Sequence, residues 1–292
     1  MSTQVLINGL LLGGLLGLVG LGFSLVWGVL NIVNLAHSAL IMLAAYVTYY
    51  LFSTLNVDPF LTLPISMLAL FILGFLLQKY VTNLVMRAPL LVTFVLTFGF
   101  QTLLVSIARV IFTVNDRGVN PSYSAAALTI GDTIINWMKL ASFSVALLVT
   151  GGLYLFVTYT RTGNAIRAVG MDPDAARLMG VNVAQVYAIT YAVSAAVAAV
   201  AGTLISMWYA FTPDSFEIYN IRAFAVVVLG GLGSIPGALI GGLVFGLLDQ
   251  GISSASIGDF QFGALKEALI FLVMVLILLV RPTGLLGKEG YR

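Results

Sequence analysis

The sequence predicts an all-α polytopic membrane protein of about eight transmembrane segments, one of them, about residues 222–252, broken or re-entrant. Three observations predict it. Of the 292 residues 60% are hydrophobic and 8% are charged, where a soluble domain carries about 25% charged residues. Apolar runs near or above the ~20 residues needed to cross a hydrocarbon core recur along the whole chain. One such run, Phe224 to Gln250, is interrupted by Gly230, Gly231, Gly233, Pro236 and Gly237, which no smooth helix tolerates, because glycine is entropically poor in a helix and proline removes a donor. The chain is therefore expected to form one membrane domain, 1–292, with a polar loop at 160–181.

In order, span 1 is expected over about Val5 to Leu30, too long for a signal-peptide core and with no basic residue before it. Gly9, Gly13 and Gly17 recur at four-residue spacing there and make a smooth ridge for a second helix backbone. Asn31, Asn34 and His37 follow three apart, on roughly one face of a helix. At membrane depth such groups need a partner or water, so they either look into the bundle or a cavity or cap a helix end at the interface. His37, the sole histidine, has no second ligand nearby, so no metal is expected. The absence of cysteine excludes disulfides and thiolate sites.

Spans 2, 3 and 4 are expected at about Ala39–Phe52, Phe60–Tyr80 and Leu90–Thr113. Asn115 to Lys139 reads as an aqueous loop with Trp137 as interfacial anchor. Span 5 covers about Leu140–Tyr159. Span 6, about Ala184–Ala210, carries Ser194, Ala198 and Gly202 four apart and should pack closely. In the interrupted block two half-helices joined by a break are expected, tolerated at membrane depth only when buried in protein or lining a wet cavity. Gly233, Gly237 and Gly241 repeat the four-residue ridge; a tightly packed passive kink is the plainer alternative. The last span is about Gly263–Val280.

Thr160 to Val181 is the longest strongly polar interruption. It reads as two short helices, one from Gly163 to Val169 behind Thr162 with Gly170 as a left-handed stop, the other capped by Asp172, with Pro173 in its first turn and Gly180 at its end. Helices this short are marginal alone, so they need a surface to dock on. Ile166, Ala168, Val169, Ala175, Ala176, Leu178 and Met179 supply apolar surface for that purpose. An ordinary well-capped connection is the alternative.

Lys and Arg in short loops orient the chain. With the N-terminus outside, Lys79, Arg87, Arg161, Arg167, Arg177, Arg281, Lys288 and Arg292 lie inside, while Asp58, Asp116, Asp132, Asp214, Glu217 and Asp259 lie outside. This parity requires the interrupted block to leave and return to one side. No nucleotide-binding P-loop and no hydrolase or zinc motif occurs, so no enzyme is predicted, no cofactor is called for, and any ATP chemistry belongs to other subunits.

Three motifs in order, Asn31-Ile-Val-Asn34-Leu-Ala-His37, Arg161-Thr-Gly163 with Arg167-Ala168, Ala176 and Gly180, and Val228-Leu-Gly230-Gly231-Leu-Gly233-Ser-Ile-Pro236-Gly237, resemble the permease subunits of branched-chain amino-acid ABC importers, the LivH type. Ser38 stands where such sequences often carry glycine. The resemblance covers essentially the whole chain. It implies a bacterial inner-membrane permease with a C-terminus in the cytoplasm, a second homologous permease subunit, two cytoplasmic ATPase subunits and a periplasmic or lipid-anchored binding protein delivering leucine, isoleucine or valine. Residues 160–181 would then be the coupling loop, with Arg161, Gly163, Ala165, Arg167, Ala168, Asp172, Ala176, Arg177 and Gly180 at the ATPase contact. Asn31, Asn34, His37, Gly230, Gly231, Gly233, Pro236 and Gly237 would flank the path. Urea or short amides are alternative cargo on the same architecture, and a stand-alone channel or ion-coupled carrier is the rival class.

Overall fold

The computed structural model describes residues 3–86, 88–131, 133–257 and 260–287. Arg87, Asp132, Asp259, Lys288 and Arg292, used above for sidedness, lie outside the described residues. The chain is built of helices α1 (Thr3–Leu30), α2 (His37–Leu55), α3 (Pro59–Leu77), α4 (Asn83–Val85), α5 (Leu90–Phe112), α6 (Trp137–Tyr159), α7 (Arg161–Met171), α8 (Pro173–Leu178), α9 (Val183–Trp208), α10 (Glu217–Gly230), α11 (Ile235–Ser253) and α12 (Lys266–Val280). A π-helical turn, Gln78–Thr82, joins α3 to α4. Among the described residues, seven helical segments are long and apolar enough to cross a membrane, against about eight expected. The last predicted span forms α12, whose 15 residues reach only about 22 Å. The loop before α6 is not wholly irregular, since β1 (Ala127–Ile130) and β2 (Thr133–Asn136) pair there as an antiparallel hairpin.

α1 and α9 are almost wholly enclosed, whereas α3, α5 and α6 keep most of their surface outward. A helix apolar all round, as α1 is, belongs in such a centre. α11 lies antiparallel to α1, with Gly9, Gly13 and Gly17 seated on Leu247, Leu243 and Leu239 in turn. The contact is close enough that a Cβ at Gly13 would fall 2.6 Å from the Leu243 Cα. The ridge expected on span 1 thus has its partner. On α11 the glycines divide between two faces: Gly242 and Gly246 press on α1, while Gly237 and Gly241 press on Gly230 and Val226 of α10. Gly233, expected in the same ridge, belongs instead to the turn before α11. The α9 stripe behaves as expected, with Gly202 against the Ile41 carbonyl and Ala44 of α2.

Polar side chains add short interhelical links where lipid offers none. Thr48 and Thr203 hydroxyls lie 2.8 Å apart, and Thr62 donates to Thr48 at 3.3 Å. Ser194 Oγ donates to the Gly22 carbonyl at 2.7 Å, and Trp208 Nε1 donates to Ser142 Oγ at 3.0 Å.

These contacts fix which ends lie together. Because α11 is antiparallel to both α1 and α10, the broken block enters and returns at the same end of the bundle, as the charge parity requires. α7 and α8 sit at the Leu30 end of α1, where Gly170 approaches the Gly28 carbonyl. Gly13→Ala should lower thermal stability of the purified protein by ~1–3 kcal/mol, the usual cost of overpacking a close contact. Gly151→Ala, inside α6 at a position with nothing within 4 Å of the added Cβ, should not lower it and should raise it by up to about 1 kcal/mol; a thermal-unfolding series in detergent compares the two.

Candidate functional site: a polar cleft and a basal loop

α1 ends where Asn31 turns into the left-handed region at φ 53°, a conformation asparagine adopts more readily than most residues. The chain then runs back along α1 without helical structure until His37, which opens α2 beside the middle of α1 and donates from Nε2 to the Val19 carbonyl at 2.9 Å. Asn31, Asn34 and His37 therefore do not share a helix face. Their spacing suits a helix, but the turn at Asn31 ends one before they can join it. Asn31 is exposed, whereas Asn34 and His37 are enclosed within the chain. Asn34 Oδ1 accepts from the Tyr191 hydroxyl at 3.0 Å.

The non-helical return leaves backbone groups to satisfy, and one side chain from α10 meets two of them. Asn220 Nδ2 lies 2.6 Å from the Leu35 carbonyl, 2.8 Å from Ser38 Oγ and 3.2 Å from Gln101 Oε1. Its Oδ1 accepts from the Ser38 amide at 3.1 Å. Ser38 is thus a working partner, which explains a hydroxyl at a position where glycine would only permit packing. Gln101 in turn donates from Nε2 to Glu217 Oε1 at 3.4 Å. Beside this cluster opens a cleft of about 530 Å³, walled by Leu35, Phe98, Ile218 and Ile221 and edged by Glu217 and Asp214. Arg109 closes on Asp214, with Nε to Oδ1 at 2.9 Å.

Sequence reading missed Gln101, Glu217 and Asn220. A signal for the first exists: Thr93, Thr97 and Gln101 fall at four-residue spacing in an otherwise apolar run, and all three are buried on the inward face of α5. Glu217 was assigned to the outer loop because nothing in the sequence reveals that α10 starts below the rim of the bundle. Val226 of α10 packs on Gly20 of α1, and Glu217 sits ~13 Å nearer the Thr3 end on the parallel α10. That leaves it ~12 Å inside that end, below the rim of the bundle.

The break between α10 and α11 runs through Gly231 at φ 108° and Gly233 at φ 75°, where a side chain would be strained. Ser234 restarts the helix by accepting from the Gly237 amide at 3.1 Å, with Pro236 in the first turn. The carbonyls left open at the end of α10 are met by the chain beyond α12: Leu285 N donates to Leu229 O and Leu286 N to Gly230 O, both at 2.9 Å. Gly230, Gly231 and Gly237 are buried, Gly233 is partly so, and Pro236 is exposed.

At the Leu30 end, Thr160 caps α7 by accepting from the Gly163 amide at 2.9 Å. The first loop helix therefore begins earlier than expected, and Gly170 lies inside it rather than stopping it. The cap shifts because Gly163 must sit flat on the Phe156 and Val157 carbonyls. The second helix matches expectation, with Asp172 accepting from the Asp174 and Ala175 amides, Pro173 in the first turn and Gly180 at φ 85°. Arg167 is tied to Asn164 at 2.6 Å, Arg177 to Asp174 at 3.0 Å, and Arg161 and Ala168 are exposed. Ala165 is partly covered.

The apolar residues of this loop divide by face. Ile166, Val169 and Ala176 are buried against the chain's own bundle. Ala175, Leu178 and Met179 face outward with Met171, and Met171, Leu178 and Met179 are 84%, 89% and 85% exposed. Gly28 links the loop to the break: Gly170 lies against its carbonyl, and a Cβ at Gly28 would come within 2.7 Å of the Gly233 Cα.

The match to known proteins falls on this whole framework. A family described as branched-chain amino acid transport system, permease component, matches residues 5–278. The chain belongs to that family. The permease is 31% identical to the high-affinity branched-chain amino acid transport system permease protein BraD of Pseudomonas aeruginosa, over 98% of this chain and 95% of the relative. It is likewise 31% identical to LivH of Escherichia coli and of Salmonella typhimurium, over the same shares of each. The permease is thus a multi-pass membrane protein whose relatives are transport subunits.

Asn220→Leu should destabilise the permease by ~2–5 kcal/mol, since it strands the Ser38 amide and the Leu35 carbonyl without partners in a buried setting. Asn220→Asp, which keeps the acceptor for the Ser38 amide but sets a second buried oxygen against the Leu35 carbonyl, should destabilise as well; both are read by thermal unfolding of the purified protein.

Proposed function

We propose that this permease is the membrane-spanning subunit of an ATP-driven importer that carries leucine, isoleucine and valine across the bacterial inner membrane. The substrate class rests on the named activity of relatives that align over nearly the whole chain. It works with a second permease, two cytoplasmic ATPase subunits and a substrate-binding protein. The N-terminus faces outside and the α7–α8 loop faces the cytoplasm, because the short loops at that end hold the larger share of Lys and Arg. The chain is a single membrane domain with that loop as its contact to the ATPase.

The observation that carries the coupling reading is the two-sided loop. One face, Gly163, Ile166, Val169 and Ala176, is seated on the bundle, and the other offers Met171, Leu178 and Met179 to a partner. Exposed flexible methionine and leucine side chains at the tip of a well-capped loop suit insertion into a groove. A push on α7 passes through Gly170 to Gly28 and on to Gly233 at the break between α10 and α11. Alternating access then follows from movement of the broken pair relative to α5, which walls the cleft opposite the start of α10. Asn34 and His37 support this movement from behind the cleft.

Leu178→Glu and Met179→Glu should leave the permease folded but reduce co-purification of its ATPase and leucine uptake together by about tenfold or more, the scale of a lost interface anchor. Ala176→Glu should instead lower thermal stability, since it buries an unpaired charge against the chain's own helices. Wild-type ATPase recovery with both exposed-site variants would remove the coupling role. For sidedness, a cysteine at Asn164 of this cysteine-free chain should react with an impermeant thiol reagent only after the cells are opened.

A further inference from the structure

We infer that the cleft between Leu35, α5 and the start of α10 is a binding station for the transported amino acid, in which the Glu217 carboxylate receives the substrate's α-ammonium group. The inference rests on the importer reading for the identity of the solute, but the recognition chemistry stands on the cleft itself.

A carboxylate at membrane depth is costly unless it meets water, a cation or hydrogen-bond donors. Two carboxylates edge this cleft, and they differ. Asp214 is taken by Arg109. Glu217 forms no ion pair among the described residues, and its one side-chain link is the long 3.4 Å contact from Gln101. Gln101 is itself held by Asn220, and Asn220 by Leu35 and Ser38. The amide row is therefore fixed, while the carboxylate at its end keeps most of its accepting capacity. Glu217 is exposed on the cleft side, positioned for a cation that arrives and leaves.

The remaining walls fit the rest of such a solute. Leu35, Phe98, Ile218 and Ile221 provide apolar surface for a branched side chain, and the volume of about 530 Å³ falls within the roughly 300–1,000 Å³ typical of small-molecule pockets. With the Asp214 charge met by Arg109, the Glu217 carboxylate beside apolar walls favours an alkylammonium over an alkylcarboxylate, since the latter would bring like charges together.

The test uses the assembled transporter in nanodiscs, with Ile218→Cys as the chain's one thiol. Leucine and 3-methylbutylamine should slow its alkylation, and 4-methylpentanoate should not. Adding Glu217→Gln should weaken protection by the amine about tenfold or more, the scale of a lost charge-assisted hydrogen bond, and Glu217→Asp should restore part of it. Equal protection by amine and acid, protection by neither, or protection by the amine that survives Glu217→Gln overturns the assignment. Leucine accumulation by the wild-type transporter in liposomes is read separately: if it is absent while the amine still protects through Glu217, the importer reading fails and the ammonium station stands.

Discussion

Every backbone polar group inside a membrane must find a partner within the protein, and this permease interrupts its helices at depth. Its architecture is organised around meeting that demand. The return from α1 to α2 is closed by Asn220 and His37, each reaching a backbone carbonyl of another segment. The break after α10 is closed by the amides of Leu285 and Leu286. Each interruption is thus stitched by a segment distant in sequence, and this draws α1, α2, α10 and the chain after α12 into one unit. The cleft opens beside the first of these interruptions, between Leu35, α5 and the start of α10.

Glycine supplies the closeness that the stitching requires. Hydrophobic burial gives no net drive between helices already in lipid, so association depends on packing and on hydrogen bonds. A glycine in a helix interior costs about 1 kcal/mol relative to alanine, and this chain accepts that cost repeatedly along α1 and α11. The return is backbone contact on two faces of α11 at once, with α1 on Gly242 and Gly246 and with α10 on Gly237 and Gly241. α11 therefore transmits position between the central helix and the broken one. Gly28 extends the same device to the loop at the base of the bundle.

Much of this was legible in the sequence, and the failures have physical reasons. The spans, the Gly-Pro break and the Asp172-Pro173 to Gly180 helix could be read because length, helix-incompatible residues and caps act locally. The choice of Thr160 over Thr162 could not, since the segment offers two hydroxyl caps and the approach of Gly163 to α6 decides between them. The facing of Ala176 was equally hidden, because α8 has only 6 residues and its inward side is set by α9. Glu217 escaped notice for a related reason: its depth follows from how α10 packs on α1, and only packing shows that a residue just after an outer loop lies below the rim of the bundle. Asn31, Asn34 and His37 showed a spacing compatible with a helix, but a left-handed residue overrode it.

The central claim is that the cleft beside the stitched return from α1 to α2 is where the solute rests between the binding protein and the cytoplasm. A structure of the assembled transporter determined with leucine tests it most directly. The account predicts ligand density between α5 and α10, with the ammonium within hydrogen-bond reach of Glu217 and the side chain against Phe98 and Ile218. Density elsewhere along the path, with Glu217 turned to a protein cation, would contradict it.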